Sequence, residues 1–416
     1  MRICFLMYHG SMYSGGQGVY LYYLTRELVR LGHEVHVISG PPYPRLAPGV
    51  ALHRVDGTSY YRFLEDRKGF LARRSPWEFF YPLNFLELLT TRYGLYTLML
   101  TYSLRALPVF LELHRRHPFD VVHDNQGLGL GYLGIKAKGV PLVVTVHHPL
   151  LVDAHNAVAR SRSLVQKVRR VLFYPAILQA PVTRAADRII TVSQASAGLV
   201  SWAFGVPRER IEVIYNGVDA ETFRPLGLAR EPRSLIYVGN SEDPNKGAQF
   251  LLEALHLLLR RGVDFRLTLV DRPRGGLQLA PRLVRRYGLS TRVRFAGRLS
   301  TAALVREYNR AQLMACPSLY EGFGMPVSEA MACGTAVVAT RGGALPEVVG
   351  EDGAGLLVPP GDSLALAEAI AQLLADPQRC LSMGQEGRRR VLSLFSWRKA
   401  ALETLRVYER VLSGSD

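Results

Sequence analysis

Short apolar runs of four to seven residues alternate along this chain with longer stretches in which apolar positions recur at helical spacing. Residues 3–7 read as a buried strand, 9–18 as a loop with the pair Gly15 and Gly16, 19–31 as a helix closed by Gly32, and 35–39 as the next strand. Further buried strands are expected at 120–123, 142–146, 186–192 and 211–215, with a helical pattern over 93–114. Residues 222–233, carrying Pro225, Gly227 and Pro232, read as a linker. The pattern then restarts: strand 234–238, glycine-bearing loop 239–247, helix 248–260, and strands 266–270 and 293–295. A strand ending near Pro317 leads through a loop at 321–324 into a helix with Pro326 in its first turn and Gly334 just past its end. An apolar run at 335–339 follows, and helices are expected at 363–374 and 396–412. Strand, loop, helix and strand in repetition is the signature of doubly wound α/β domains, here two of them, whose ligands sit at the carboxyl ends of the strands.

Residues 58–118 depart from that pattern. Aromatic residues, among them Tyr60, Phe70, Trp77, Phe80 and Phe85, are interleaved there with Arg62, Arg67, Lys68, Arg73 and Arg74. Apolar rings beside cationic heads suit a membrane interface or an acceptor-binding surface, and equally an insertion packed on the first domain with a basic rim.

Composition narrows the class. At 416 residues the chain is long enough for two cores, and its hydrophobic and charged shares, 48% and 21%, are those of a soluble globular protein. The twelve uncharged residues 93–104 are too few to span a bilayer. No secretory segment is expected, and Cys4, Cys316, Cys333 and Cys380 lack metal or redox spacing, so reduced thiols and a cytoplasmic protein are expected. The net charge of +16 favours phosphate-bearing partners or an anionic membrane face. Only six of the 51 basic residues are Lys and 45 are Arg, a bias that a codon-biased or thermophilic source also explains. No nucleic acid partner is expected, since no recognisable binding module is present.

The chemistry concentrates between Cys316 and Val349, CPSLYEGFGMPVSEAMACGTAVVATRGGALPEVV. Glu321 in the loop and Glu329 in the helix frame Phe323, Gly324, Met325 and Pro326, pairing acceptors for hydroxyls with a helix N-terminus that favours an anion. A nucleotide sugar needs both. Upstream, Lys246 and Gly247 place an ammonium at another helix start, in a chain with no other Lys between Lys167 and Lys399. In the first domain, Asp124, Asn125 and Gln126 end one strand, and His147 and His148 end the next.

Taken together, the Glu321 to Glu329 spacing and the ACG-x-x-VV-x-x-x-x-GG-x-x-E run ending at Glu347 resemble the E-x7-E signature of the retaining glycosyltransferases of family 4. Their GT-B fold sets two Rossmann-like domains about a cleft. Asn216 to Asp219 match the N-G-V-D turn of that family, and Thr145 to His147 match its T-x-H. The resemblance implies an acceptor-side domain over 1–221, a nucleotide-sugar domain over 222–395 and a last helix, 396–416, returning to the first domain. The interleaved segment 58–118 and the Arg surplus suit a lipid-linked acceptor and peripheral attachment to the inner face of a membrane. The resemblance itself implies transfer with retention from a UDP- or GDP-linked sugar to a hydroxyl acceptor. It carries catalytic roles to His147, Lys246 and Glu321. Donor contacts fall to Gly15, Gly16, Asn240, Lys246, Arg298, Glu321, Phe323, Gly324, Met325, Pro326 and Glu329, with Glu321 on the sugar and Glu329 on the ribose. Asn125 and His148 stand as acceptor contacts. No metal and no cofactor beyond the nucleotide-sugar co-substrate are expected, since D-x-D is absent.

One departure stands out. Most members of the family carry an Arg after the first glycine of the second domain, where this chain has Asn240, so either Lys246 and the helix N-termini suffice or, the favoured reading, Arg272, Arg274 or Arg298 supplies the missing cation. Two rival readings are another GT-B activity, an epimerase or a phosphorylase, and a basic non-catalytic membrane or nucleic-acid binder.

Overall fold

The structure, a computed structural model, describes residues 1–10, 16–56, 77, 81–92, 97–151, 158, 163–164, 166–168, 178–271 and 279–414. Contacts divide the chain into two compact units, 1–214 with 400–416, and 215–399. The division falls before Tyr215 rather than after Glu221, and the last helix joins the first unit only from Ala400 onward.

In the first unit the strands are β1 (Arg2–Met7), β2 (Glu34–Ser39), β3 (Val50–Arg54), β4 (Val121–Asn125), β5 (Leu142–Val146), β6 (Arg188–Thr191) and β7 (Ile211–Val213). They form one parallel sheet in the order β3-β2-β1-β4-β5-β6-β7. The order reverses direction between β1 and β4, so the carboxyl ends of these two strands flank the crevice where such sheets take ligands. The connecting helices are α1 (Gln17–Arg30), α2 (Pro82–Arg92), α3 (Leu98–Arg116), α4 (Tyr132–Lys136), α5 (Gln179–Ala185) and α6 (Gln194–Phe204). Continuous burial along β1, β4 and β5 is what a sheet covered on both faces requires.

The second unit repeats the plan with β8 (Glu231–Val238), β9 (Arg266–Val270), β10 (Val293–Phe295), β11 (Ala311–Cys316), β12 (Ala336–Thr340) and β13 (Leu356–Val358). Its parallel order is β10-β9-β8-β11-β12-β13, with the switch between β8 and β11. Helices α7 (Ala248–Arg260), α8 (Leu279–Arg286), α9 (Thr301–Arg310), α10 (Met325–Ala332), α11 (Leu345–Val349), α12 (Ser363–Ala375) and α13 (Pro377–Leu394) connect and cover the strands. The last helix, α14, spans Trp397–Ser413.

The helix expected over 93–114 is instead described as α3, starting at Leu98 after α2, with 93–96 outside the described residues. Most of the aromatic and basic segment, 57–76 and 78–80, also lies outside them. Within it, α2 is pinned to α3 by the buried Glu87, which accepts from Arg105 and Thr101, while Tyr81, Phe85 and Leu89 stand exposed at helical spacing.

Candidate functional site

Two loops build the site of the second unit, one after β8 and one after β11, on either side of the switch point. In the first, a 3-10 turn over Pro244–Lys246 is capped by Asp243, whose carboxylate accepts from the Asn245 amide at 2.9 Å. Gly247 then takes a left-handed conformation, φ 67°, as the cap of α7. A side chain there would collide with the Pro317 carbonyl, so only glycine lets the loop press against the chain leaving β11. The Asn245 carbonyl accepts from the Leu319 amide at 2.7 Å and locks the two loops together.

That contact brings Lys246 to Glu321. The ammonium donates to both carboxylate oxygens at 2.9 Å, with the Lys side chain 34% and the Glu side chain 12% exposed. Ser318 donates to the same carboxylate at 2.8 Å. Burial alone would lower the pKa of Lys246, but the Glu321 carboxylate outweighs it and the net shift is upward, so the group stays an ammonium. Lys246, expected beside a phosphate, is here held by an acid.

Glu321 is itself fixed through its backbone, since its carbonyl accepts from the Ala344 amide at 2.9 Å and it bridges to Gly343. Gly324 caps α10 with φ 101°. The helix start offers fewer donors than expected: Pro326 has no N–H, and the amides of Val327 and Ser328 both donate to the Gly324 carbonyl. Phe323 is buried at 3% exposure between Tyr215 and Phe395, so its ring belongs to the core and only its backbone lines the loop. Met325 and Pro326 are half-buried.

Glu329, on α10, accepts from the fully buried Tyr308 of α9 at 3.2 Å, and burial pushes its carboxyl up to about 7 despite that bond. The Arg230 guanidinium braces both ends of this pair. It donates to the carbonyls of Tyr308 and Ala311 at 2.9 and 2.7 Å, and to that of Gly334, past the end of α10, at 2.6 Å. Tyr308, Arg230 and Ser318 carried no motif in the sequence, because their part arises only from packing.

Asn240 accepts from the Glu242 amide at 3.2 Å. The acids of its loop serve the fold: Glu242 accepts from the Leu279 amide at the start of α8, and Asp243 caps the turn. Of the candidate replacement cations, Arg272 and Arg274 lie outside the described residues. Arg298 is exposed in the loop after β10, the edge strand of the sheet.

In the first unit the candidates gather at the carboxyl ends of β4 and β5. Gly16 caps α1 in the left-handed region, φ 74°, while Gly15 lies outside the described residues. His147 has its ring against the edge of Tyr20, 4.8 Å between centroids, and burial pulls its pKa down to about 3, helped by His148. Its amide donates to Gln126 Oε1 at 2.7 Å, and the His148 carbonyl accepts from Gln126 Nε2 at 2.6 Å. Asn125, expected at the acceptor, is instead fully buried with its side chain engaged by Gln17 and His147. Behind this layer, His123 bridges Thr145 and Tyr408, the latter on α14. Among the described residues no group of three or more His, Cys, Asp or Glu is placed to hold a metal ion, and no helix is long and apolar enough to cross a membrane.

Two doubly wound parallel sheets, with an ammonium and two carboxylates at the switch point of the second, define a glycosyltransferase of the GT-B class, and comparison with known proteins agrees. Residues 14–222 match the model of Glycosyltransferase Family 4, and residues 218–390 that of Glycosyl transferases group 1. The chain belongs to glycosyltransferase family 4. It is 39% identical to an MMP alpha-(1->4)-mannosyltransferase of Mycolicibacterium hassiacum, with 99% of each chain covered. It is 30% identical to a D-inositol 3-phosphate glycosyltransferase of Frankia alni, over 97% of this chain and 96% of that one. The same fold recurs in sucrose-phosphate synthase from Thermosynechococcus elongatus, with a TM-score of 0.75 at 24% identity and full coverage of both chains. It recurs also in Anabaena HepE in complex with UDP-glucose, with a TM-score of 0.67 at 20% identity, over 98% of this chain and 99% of that one.

Proposed function

We propose that this enzyme moves a hexosyl group from a UDP- or GDP-linked sugar to a hydroxyl acceptor, with retention of anomeric configuration and without a metal ion. The observation that carries this reading is the Lys246–Glu321 pair, a cation and a hydroxyl acceptor fixed side by side at the switch point of the second unit. Lys246 takes the diphosphate, Glu321 the sugar hydroxyls and Glu329 the ribose, while His147 meets the transferred sugar. Departure of the diphosphate generates an oxocarbenium-like sugar, and the leaving oxygen helps to deprotonate the incoming hydroxyl on the same face. Catalysis then rests on charge stabilisation and positioning rather than on a carboxylate nucleophile. A phosphorylase would need an unprotonated lysine for its pyridoxal phosphate, and the Glu321 carboxylate opposes that state at Lys246.

The name of the Mycolicibacterium relative makes mannosyl transfer the first activity to assay. An α-linked product drawn from an α-linked sugar nucleotide is retention. Nucleoside diphosphate release from GDP-mannose and UDP-glucose should be followed with manno-oligosaccharide acceptors in the presence of a chelator, and the product anomer read by NMR. A β-linked product, or strict dependence on added divalent metal, would overturn the mechanism; no release from any sugar nucleotide would overturn the function. For the acceptor, the exposed stripe of Tyr81, Phe85 and Leu89 on α2 favours a lipid-linked molecule at an anionic membrane face. Equal flotation with anionic and neutral vesicles at low salt would count against that.

A further inference from the structure

The orientation of the His147 ring is decided by a neighbour whose own orientation is not free. Asn125 ends β4, level with Thr145 of β5, and is wholly buried. Its Nδ2 donates to the Gln17 carbonyl at 3.2 Å, and a carbonyl can only accept, so the amide nitrogen must face Gln17 and the oxygen must face the histidine. Asn125 Oδ1 can likewise only accept, and it lies 2.8 Å from His147 Nε2. The ring proton therefore sits on Nε2. A neutral imidazole carries a single N–H, which leaves a lone pair on Nδ1.

The other groups about the ring leave this assignment intact. His148 follows in the chain, His123 lies behind on β4, and Tyr20 of α1 touches the ring by its edge. Each is neutral or cationic, so among the described residues no carboxylate bonds to the ring to stabilise an imidazolium. Nδ1 makes no hydrogen bond to the described residues.

We infer that Asn125 is a positioning residue that sets the tautomer of His147, so that Nδ1 accepts a hydrogen bond and the site selects a substrate hydroxyl able to donate one. This rests on the reading of the enzyme as acting on a sugar. A sugar whose hydroxyl at that position is removed or methylated leaves the lone pair unanswered, and should lose on the order of tenfold to a hundredfold in kcat/KM.

The tautomer is read on the full-length protein without substrate, by long-range proton–nitrogen correlation of the imidazole nitrogens, with the His147 signals assigned by their loss in His147→Gln. The parent should show a protonated Nε2 and an unprotonated Nδ1 throughout about pH 5 to 8. Asn125→Leu should release a mixture of both tautomers. Asn125→Asp places a carboxylate against Nε2 and should make the ring titrate within that range, adding an acid limb to the pH profile of activity that the parent lacks. A proton on Nδ1 in the parent, or an Asn125→Asp ring that titrates as before, overturns the inference, and the parent spectrum decides even if a variant fails to fold. Tolerance of the methylated sugar with loss of the deoxy sugar would also overturn it. If the tautomer is as expected and no sugar nucleotide is turned over, the proposed function fails instead.

Discussion

Glu329 is a carboxyl whose charge is conditional near neutral pH, because burial pushes it from its ordinary value of 4.5 up to about 7. A carboxylate accepts from both of two vicinal hydroxyls, whereas a carboxylic acid turns one oxygen into a donor and accepts more weakly at the other. Nucleotide affinity measured by calorimetry should therefore fall as pH drops below about 7, and Glu329→Gln should bind weakly with little pH dependence. The folded value lies above the unfolded one, so the group's favourable contribution to folding is complete below about 4.5 and disappears as pH rises through about 7. Glu329→Gln, which cannot ionise, should thus melt higher than the parent at about pH 8 and lose that advantage in acid. Lys246 works in the opposite sense, its charge secured by Glu321. Lys246→Ala should lower turnover by at least about a hundredfold, since one preorganised donor to a leaving oxyanion is worth about 2.7–4 kcal/mol. A nearly silent Lys246→Ala would remove it from the chemistry. Lys246, Glu321, Glu329 and His147 stood out in the sequence because each sits in a local spacing. Tyr308, 21 positions before Glu329, and the engagement of Asn125 with His147 did not, because those contacts are made across neighbouring elements.

At the scale of elements, glycines decide how closely backbones approach. Gly247 and Gly262 both adopt left-handed conformations, but a side chain at Gly262 would meet open space whereas one at Gly247 would strike Pro317. Gly262→Ala should cost about 1 kcal/mol, the backbone term alone. Gly247→Ala should cost more and weaken donor binding besides, as compared by denaturant unfolding and nucleotide titration of the two variants. The same principle explains which helices escaped the sequence reading. The periodic apolar face of α7, with Leu251, Leu252, Leu255 and Leu258 buried, gives it away from end to end. Helix α13 buries Cys380, Met383 and Val391, but Gly384 and Gly387 stand between them on the inner face, with Gly384 pressed on the Gly334 backbone, so its apolar stripe is thin and interrupted. Strand β3, at the edge of its sheet and only half-buried, lacks the continuous apolar run of the central strands.

For the molecule as a whole, the C-terminal residues are a working part of the first unit. Tyr408 is fully buried and bonds to His123, whose pKa burial holds down at about 3 and which stays neutral. Tyr408→Phe keeps the volume but leaves that imidazole nitrogen without its partner, and should destabilise the protein by about 1–3 kcal/mol in urea unfolding. A loss of less than a few tenths would mean that water or a rearranged rotamer replaces the hydroxyl. The chain passes through the second unit once, as a single continuous stretch. It enters at Tyr215 and leaves at Lys399, and the two passages are stitched together: the Val218 amide donates to the Phe395 carbonyl at 3.0 Å, and Val218 bridges to Ser396. A module whose entrance and exit share a hydrogen bond is topologically an insertion. Residues 215–399 can therefore be exchanged between homologous genes as one continuous stretch with a pair of adjoining seams, leaving the sequence of the first unit unaltered.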